Sequence, residues 1–215
     1  AVLFAEHLRI IREVIPLHAQ LQNAGQIEVT MTPFAHPILP LLVDSDVAAV
    51  ALPDATLPER FVFGQDAVGQ LEMGVQLYRD HFGVAPRGMW PAEGSVSQQI
   101  VQMVANAGIR WIASDEEVLA NSLPDFAGFT RNSADTVQQA DAMYRPYLLT
   151  GRRGGQVAIV FRDRLISDKV GFEYSGMDGA EAAADFIQRL NDIQAELEAE
   201  GASGPNLVTV ILDGE

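Results

Sequence analysis

Apolar residues recur at helical spacing over residues 2–22, with Phe4, Leu8, Ile11 and Ile15 on one face, and Pro16 predicts a kink or a restart within that helix. Gly25 closes it, and residues 26–32 then alternate and carry β-branched side chains, which predicts a strand. Pro33, Pro37 and Pro40 force a loop around His36. Val68, Leu71, Val75 and Leu77 predict a second helix near residues 66–81, ended at Phe82-Gly83. A short strand follows in Gly88-Met89-Trp90-Pro91-Ala92-Glu93-Gly94-Ser95, with Ser95 or Ser97 able to cap a helix that runs through Asn106. Residues 109–113 read as a third strand leading into Ser114-Asp115-Glu116-Glu117. After a polar stretch over about 121–141, residues 144–149 and 156–161 read as two strands, paired as a hairpin or apart, around the Gly-Arg-rich turn 151–155. A long acidic helix over about 179–200 carries the apolar stripe Ala182, Phe186, Ile187, Leu190, Ile193 and Leu197. Residues 207–212 form a continuous apolar run of the kind buried in a parallel sheet.

This order argues for an α/β fold with right-handed parallel connections. Polar groups repeatedly follow the predicted strand ends: His36, Glu93, Asp115 with Glu116, Arg162 with Asp163, and Asp213. In α/β barrels that edge holds the active site, although strand ends also carry polar residues simply because they meet water. Two readings of Glu93 stand side by side, a catalytic carboxylate on the rim and a helix-start charge favoured by the macrodipole.

Composition narrows the field. A chain of 215 residues, 48% hydrophobic, buries the core of one α/β domain more readily than of two. With 29 acidic against 14 basic residues and a net charge of −15, it has no positive surface to neutralise phosphates, so nucleic acid is not an expected partner. No apolar run approaches the roughly eighteen residues of a membrane span, and no membrane partner is expected. The absence of cysteine excludes disulfides, thiolate zinc sites and a cysteine nucleophile, and fits a reducing compartment, so the expected location is cytoplasmic. The chain opens inside a helical pattern and stops as abruptly after Asp213-Gly214-Glu215, and so reads as a piece of a longer protein.

No Gly-x-Ser-x-Gly elbow and no Gly-rich phosphate cradle is present. Among the four histidines no pair has metal-ligand spacing, leaving a zinc site only through His36 with distant carboxylates; no metal and no cofactor are expected. What the chain does supply is carboxylates beside aromatics. Hydrolysis of a glycosidic bond needs two carboxyl groups, one protonated to donate and one ionised to attack or to activate water. Trp90, Trp111, Tyr144 and Tyr147 are placed either to stack on sugar faces or to pack the core.

The ordered segments Gly25 to Thr30, His36-Pro-Ile-Leu-Pro40, Gly88 to Ser95, Trp111 to Glu117, Tyr144-Arg-Pro-Tyr147, Phe161-Arg-Asp163, Ser167 to Phe172 and Val210 to Glu215 resemble glycoside hydrolase family 57, in its amylopullulanase-like and α-amylase-like branch. The resemblance implies an incomplete (β/α) barrel of the seven-stranded type, here truncated at both ends, with residues 1–215 a single fragment of the catalytic domain. It implies a retaining glycoside hydrolase or transglycosylase acting on α-glucans such as starch, glycogen or maltooligosaccharides. The nucleophile falls on Glu93 and the general acid/base on Asp213. His36 matches a histidine facing the sugar, and Trp90, Trp111, Asp115, Glu116, Arg162, Asp163 and Asp168 are expected around the substrate, with a structural ion pair the alternative for Arg162. The family's first motif, a His-Gln-Pro, is absent from this chain, as is the helical region beyond the acid/base. A metal-dependent polysaccharide deacetylase and a non-catalytic carbohydrate-binding homologue remain as alternative classes.

Overall fold

A computed structural model of the chain describes residues 2–212. Asp213, the expected acid/base, lies outside the described residues. The order is α1 (Val2–Asn23), α2 (Leu39–Val43), α3 (Ala48–Ala51), α4 (Gly64–Phe82), β1 (Gly88–Met89), α5 (Val101–Asn106), β2 (Trp111–Asp115), α6 (Glu116–Ser122), α7 (Ala140–Met143), β3 (Tyr147–Thr150), β4 (Gln156–Arg162), α8 (Arg164–Asp168) and α9 (Gly179–Glu200). The fold is α/β. Among the described residues four strands form one sheet in the order β1-β2-β4-β3. β1 and β2 are parallel, with Gly88 opposite Trp111 and Met89 opposite Ile112. β3 and β4 form a hairpin whose turn is closed by Gly151 N–H donating to Gly155 O at 2.7 Å, so the sheet is mixed.

The chain divides into two compact units, Ala1–Ile112 with Leu149–Val157, and Ala113–Leu148 with Ala158–Glu215. In the first, α1 continues through Pro16 without breaking, and none of its residues is buried. α4 buries Ala67, Leu71, Val75 and Tyr78, a face turned slightly from the expected one, since Leu77 is exposed. It ends at Gly83, whose φ of 71° closes the last turn. Gly74 lets α4 approach Met31 and Thr32 closely: a Cβ there would stand 2.7 Å from the Met31 methyl carbon and 3.0 Å from Thr32 O.

The strand expected over 26–32 is reduced to one parallel bridge, Met31 opposite Met89. Met31 N–H donates to Gly88 O at 3.1 Å and Trp90 N–H to Met31 O at 2.8 Å. The next rung would need an N–H at position 33, which is proline. On the other side, Val29 N–H is taken by Gln22 Oε1 at 2.8 Å, while Tyr78 Oη binds Val29 O at 2.9 Å. The segment is extended and anchored, but not laddered.

In the second unit, α9 begins at Asp178, whose carboxylate accepts from Ala180 and Glu181 N–H, and ends at Gly201 with φ 68°. Ala182 and Ile193 are its buried residues, whereas Ile187 faces solvent. Its acidic residues are partly structural. Glu200 accepts from Ala140 and Asp141 N–H at 2.7 and 2.9 Å, capping α7, and Glu196 accepts from Asn132 Nδ2 at 2.6 Å. The polar stretch before α7 is thereby tied to α9.

The strand expected over 207–212 is likewise one parallel bridge, Arg162 opposite Thr209. β4 stops at Arg162 because Asp163 caps α8, its side chain accepting from Ile166 N–H. Once the chain turns into that helix, no strand among the described residues pairs with residues 210–212.

Candidate active site

β1 delivers the chain through Trp90 and Pro91 into a one-turn helix, Ala92–Gly94. Ala92 and Gly94 are buried, yet the Glu93 side chain is 62% exposed. Glu93 sits at φ 56°, ψ 24°, in the left-handed region, and Gly94 follows at φ 62°. A non-glycine residue there costs about 1–2 kcal/mol, so the surrounding packing holds the carboxylate out at the expense of backbone energy.

His36 shares this unusual backbone, with φ 56°. Its N–H donates to Pro33 O at 2.8 Å, and its Nδ1 lies 3.1 Å from Thr32 Oγ1. α4 pins the same loop, since Phe34 N–H donates to Gln70 O at 3.2 Å and Ala35 N–H to Gln70 Oε1 at 2.7 Å. The ring is thus oriented with Nε2 3.6 Å from Glu93 Oε1. Trp90, three residues before Glu93, is half-buried. This unit therefore brings together Glu93 and His36, two residues 57 positions apart in sequence.

Trp111 is placed differently. It opens β2 opposite Gly88, its indole lies where a Cβ on Gly88 would be, and its Nε1 donates to Glu28 Oε1 at 2.9 Å. Glu28 also pairs with Arg87. Trp111 packs over Gly88 at the start of its strand, whereas Glu93 follows the far end of β1. A surface cleft lined by Gln22, Gln26, Glu28, Tyr78 and Arg87 lies on that opposite side and includes neither Glu93 nor His36.

The second unit gathers Asp115, Glu116, Arg162, Asp163 and Asp168 in one ionic network. Asp115 ends β2 and accepts from Arg162 Nε at 2.8 Å, Arg164 Nη2 at 2.5 Å and Glu117 N–H at 3.0 Å. Burial pushes its carboxyl up, but the hydrogen bonds from Arg164, Glu117 N–H and Arg162 together outweigh that and hold its pKa below the usual carboxylate value. Glu116 takes both of its oxygens to Arg131 Nη2, at 2.8 and 2.7 Å, and accepts Arg164 N–H at 2.9 Å. Asp163, whose side chain is 1% exposed, accepts from Tyr144 Oη at 2.6 Å, Ile166 N–H at 3.1 Å and Arg131 Nη2 at 3.4 Å. Burial, followed by the adjacent Asp163 carboxylate, raises the Tyr144 phenol far above its ordinary value, so it stays a donor. Asp168 sits at the edge, 3.5 Å from Arg162 Nη1 and 45% exposed.

Arg131 and Arg164 escape a reading of strand ends because the first lies in the polar stretch and the second inside α8. Their signal is chemical: a cluster of acids at strand ends needs cations, and all but one of the 14 basic residues in this chain are arginines. Among the described residues no three His, Cys, Asp or Glu side chains gather as a metal site.

The sequence profile of Glycosyl hydrolase family 57 matches residues 2–215. The chain is 30% identical over 96 residues to Alpha-amylase 1 of Dictyoglomus thermophilum, a match covering 45% of this chain and 11% of that protein. Its fold is similar to that of a GH57 branching enzyme from Thermococcus kodakaraensis, crystallised with glucose, at a TM-score of 0.58 and 17% identity, covering 97% of this chain and 44% of the other. The α-amylase AmyC from Thermotoga maritima gives a TM-score of 0.50 at 20% identity over 78% of this chain and 26% of that one. The chain thus spans less than half the length of each of these relatives.

Proposed function

Because the chain belongs to glycosyl hydrolase family 57, we propose that it is the part of a retaining α-glucan-active enzyme that carries the nucleophile, Glu93, and the general acid/base, Asp213. Residues 1–215 are read as one stretch of an incomplete seven-stranded (β/α) barrel. The observation that carries this reading is Glu93 itself, an exposed carboxylate on a buried, left-handed turn with His36 Nε2 at 3.6 Å. A helix-start charge needs no such backbone, and a nucleophile gains from being held rigidly.

In the first step a Glu93 oxygen attacks the anomeric carbon as the bond to the leaving sugar breaks, and Asp213 gives its proton to the leaving oxygen. The product is a glycosyl ester on Glu93. In the second step water attacks that carbon, its proton passes to Asp213, and the ester bond breaks with net retention. A sugar hydroxyl in place of water gives transfer to a second glucan. His36 and Trp90 are assigned to the sugar at the cleaved bond, and Asp168 to the more exposed edge. Asp115, Glu116, Arg162 and Asp163 hold the strand ends through their mutual pairing, and Trp111 packs.

In the full-length protein, Glu93→Gln is expected to lower kcat on starch or maltooligosaccharides by about a thousandfold or more with unchanged thermal unfolding. Normal turnover by that variant would refute the assignment, and glucan binding without turnover by the wild type would point to a binding protein instead.

A further inference from the structure

Two polar side chains in the second unit are almost fully buried and have no place in the two chemical steps: Asp163 and Ser167, each 1% exposed. Both residues bind the backbone of residues 209–211, Asp163 through its own main-chain N–H and Ser167 through its side chain. Asp163 N–H donates to Thr209 O at 3.0 Å. In a continuing parallel ladder, Ile211 N–H would next take Asp163 O. That carbonyl is already engaged, by Ser167 N–H at 3.0 Å within α8 and by Ser167 Oγ–H at 2.6 Å. Ser167 Oγ takes its place as acceptor and receives Ile211 N–H at 3.1 Å. A hydroxyl is suited to this because it donates one hydrogen and accepts another at the same atom.

A third anchor lies upstream. Leu207 N–H donates to Tyr144 O at 2.8 Å, while the same tyrosine's Oη donates to Asp163 Oδ2. Residues 207, 209 and 211 are therefore fixed in alternation along one edge of an extended segment, by Tyr144, Asp163 and Ser167. The last fixed amide is two residues before Asp213 in sequence.

We propose that Ser167, Asp163 and Tyr144 form a positioning clamp on residues 207–211, the segment that leads in sequence to the assigned general acid/base, Asp213. The proposal rests on the assignment of Asp213 made above. None of the three is a catalytic residue; each acts through the segment it holds. Their contribution is orientation, where a displacement of about 1 Å costs on the order of a hundredfold in rate.

The test separates positioning from mere stability by the leaving group. An alkoxide leaving group needs the acid's proton, whereas fluoride or 2,4-dinitrophenolate departs with little help. In the full-length protein, Ser167→Ala is expected to lose about ten- to a hundredfold in kcat/KM on maltooligosaccharides and less than about threefold on a maltosyl fluoride. Tyr144→Phe keeps the ring and should show the same selectivity more weakly, so the test stands even if Ser167→Ala does not fold. Asp213→Asn run alongside should be selective in the same sense and more strongly. If Asp213→Asn is selective while Ser167→Ala and Tyr144→Phe lose both activities equally or neither, the clamp is overturned alone. If Asp213→Asn is itself unselective, the acid/base assignment falls and the clamp with it.

Discussion

Glu93 and His36 are non-glycine residues with positive φ whose side chains approach each other. Glycine at position 93 would adopt that backbone without the steric penalty of a Cβ. Glu93→Gly is therefore expected to stabilise the fold by about 1 kcal/mol while abolishing turnover, measured by chemical denaturation beside an activity assay. A loss of stability would mean that the side chain, and not the turn, holds this site together. The carboxylate was legible from Trp-Pro-Ala-Glu-Gly-Ser after a short apolar run, but its conformation was not. The φ of 56° depends on the buried Ala92 and Gly94 around it, and no local pattern encodes that packing. Trp111 gives the complementary lesson. An aromatic at a strand is readable, but its partner Glu28, 83 residues earlier, is not.

At the scale of elements, the long helices α1, α4 and α9 follow from periodicity and from the glycines after the last two, while two apolar extended segments do not become strands. The proline that blocks a second rung was visible at position 33, but only once the pairing of Met31 with Met89 is known does it acquire that meaning. Strand ends were readable as polar sites, and their mutual pairing through Arg131 and Arg164 was not, because these cations come from a turn-rich stretch and a short helix. That pairing has a pH consequence. The Asp115 carboxyl is held below its ordinary value of 3.8, so its ionised form stabilises the folded state above that pH. The contribution is lost as pH falls below about 3.8 and through the lower folded value. Asp115→Asn should therefore cost about 1–2 kcal/mol at pH 7 and flatten the dependence of unfolding free energy on pH below about 4. Acid titrations of both proteins under denaturant check this, and parallel curves would show that Asp115 is not a stabilising member of the network.

For the whole molecule, two carboxylates far apart in sequence are assigned to one reaction, and the chain spans 44% of the branching enzyme it resembles in fold. A net charge of −15 is compatible with the neutral polymer proposed as substrate and opposes a polyanion. Family membership came from the order of short motifs along the chain, which survives even where the strands beneath them shrink to single bridges. Glu93 is expected to become glycosylated during turnover. Exposing the full-length protein to a fluorinated α-glucosyl fluoride that accumulates the glycosyl-enzyme, then mapping the labelled peptide by mass spectrometry, reads this directly. The expected result is one sugar on Glu93, in the peptide containing Gly88 to Ser95. A label on another carboxylate, or turnover of glucan with inversion and no label at all, would contradict it.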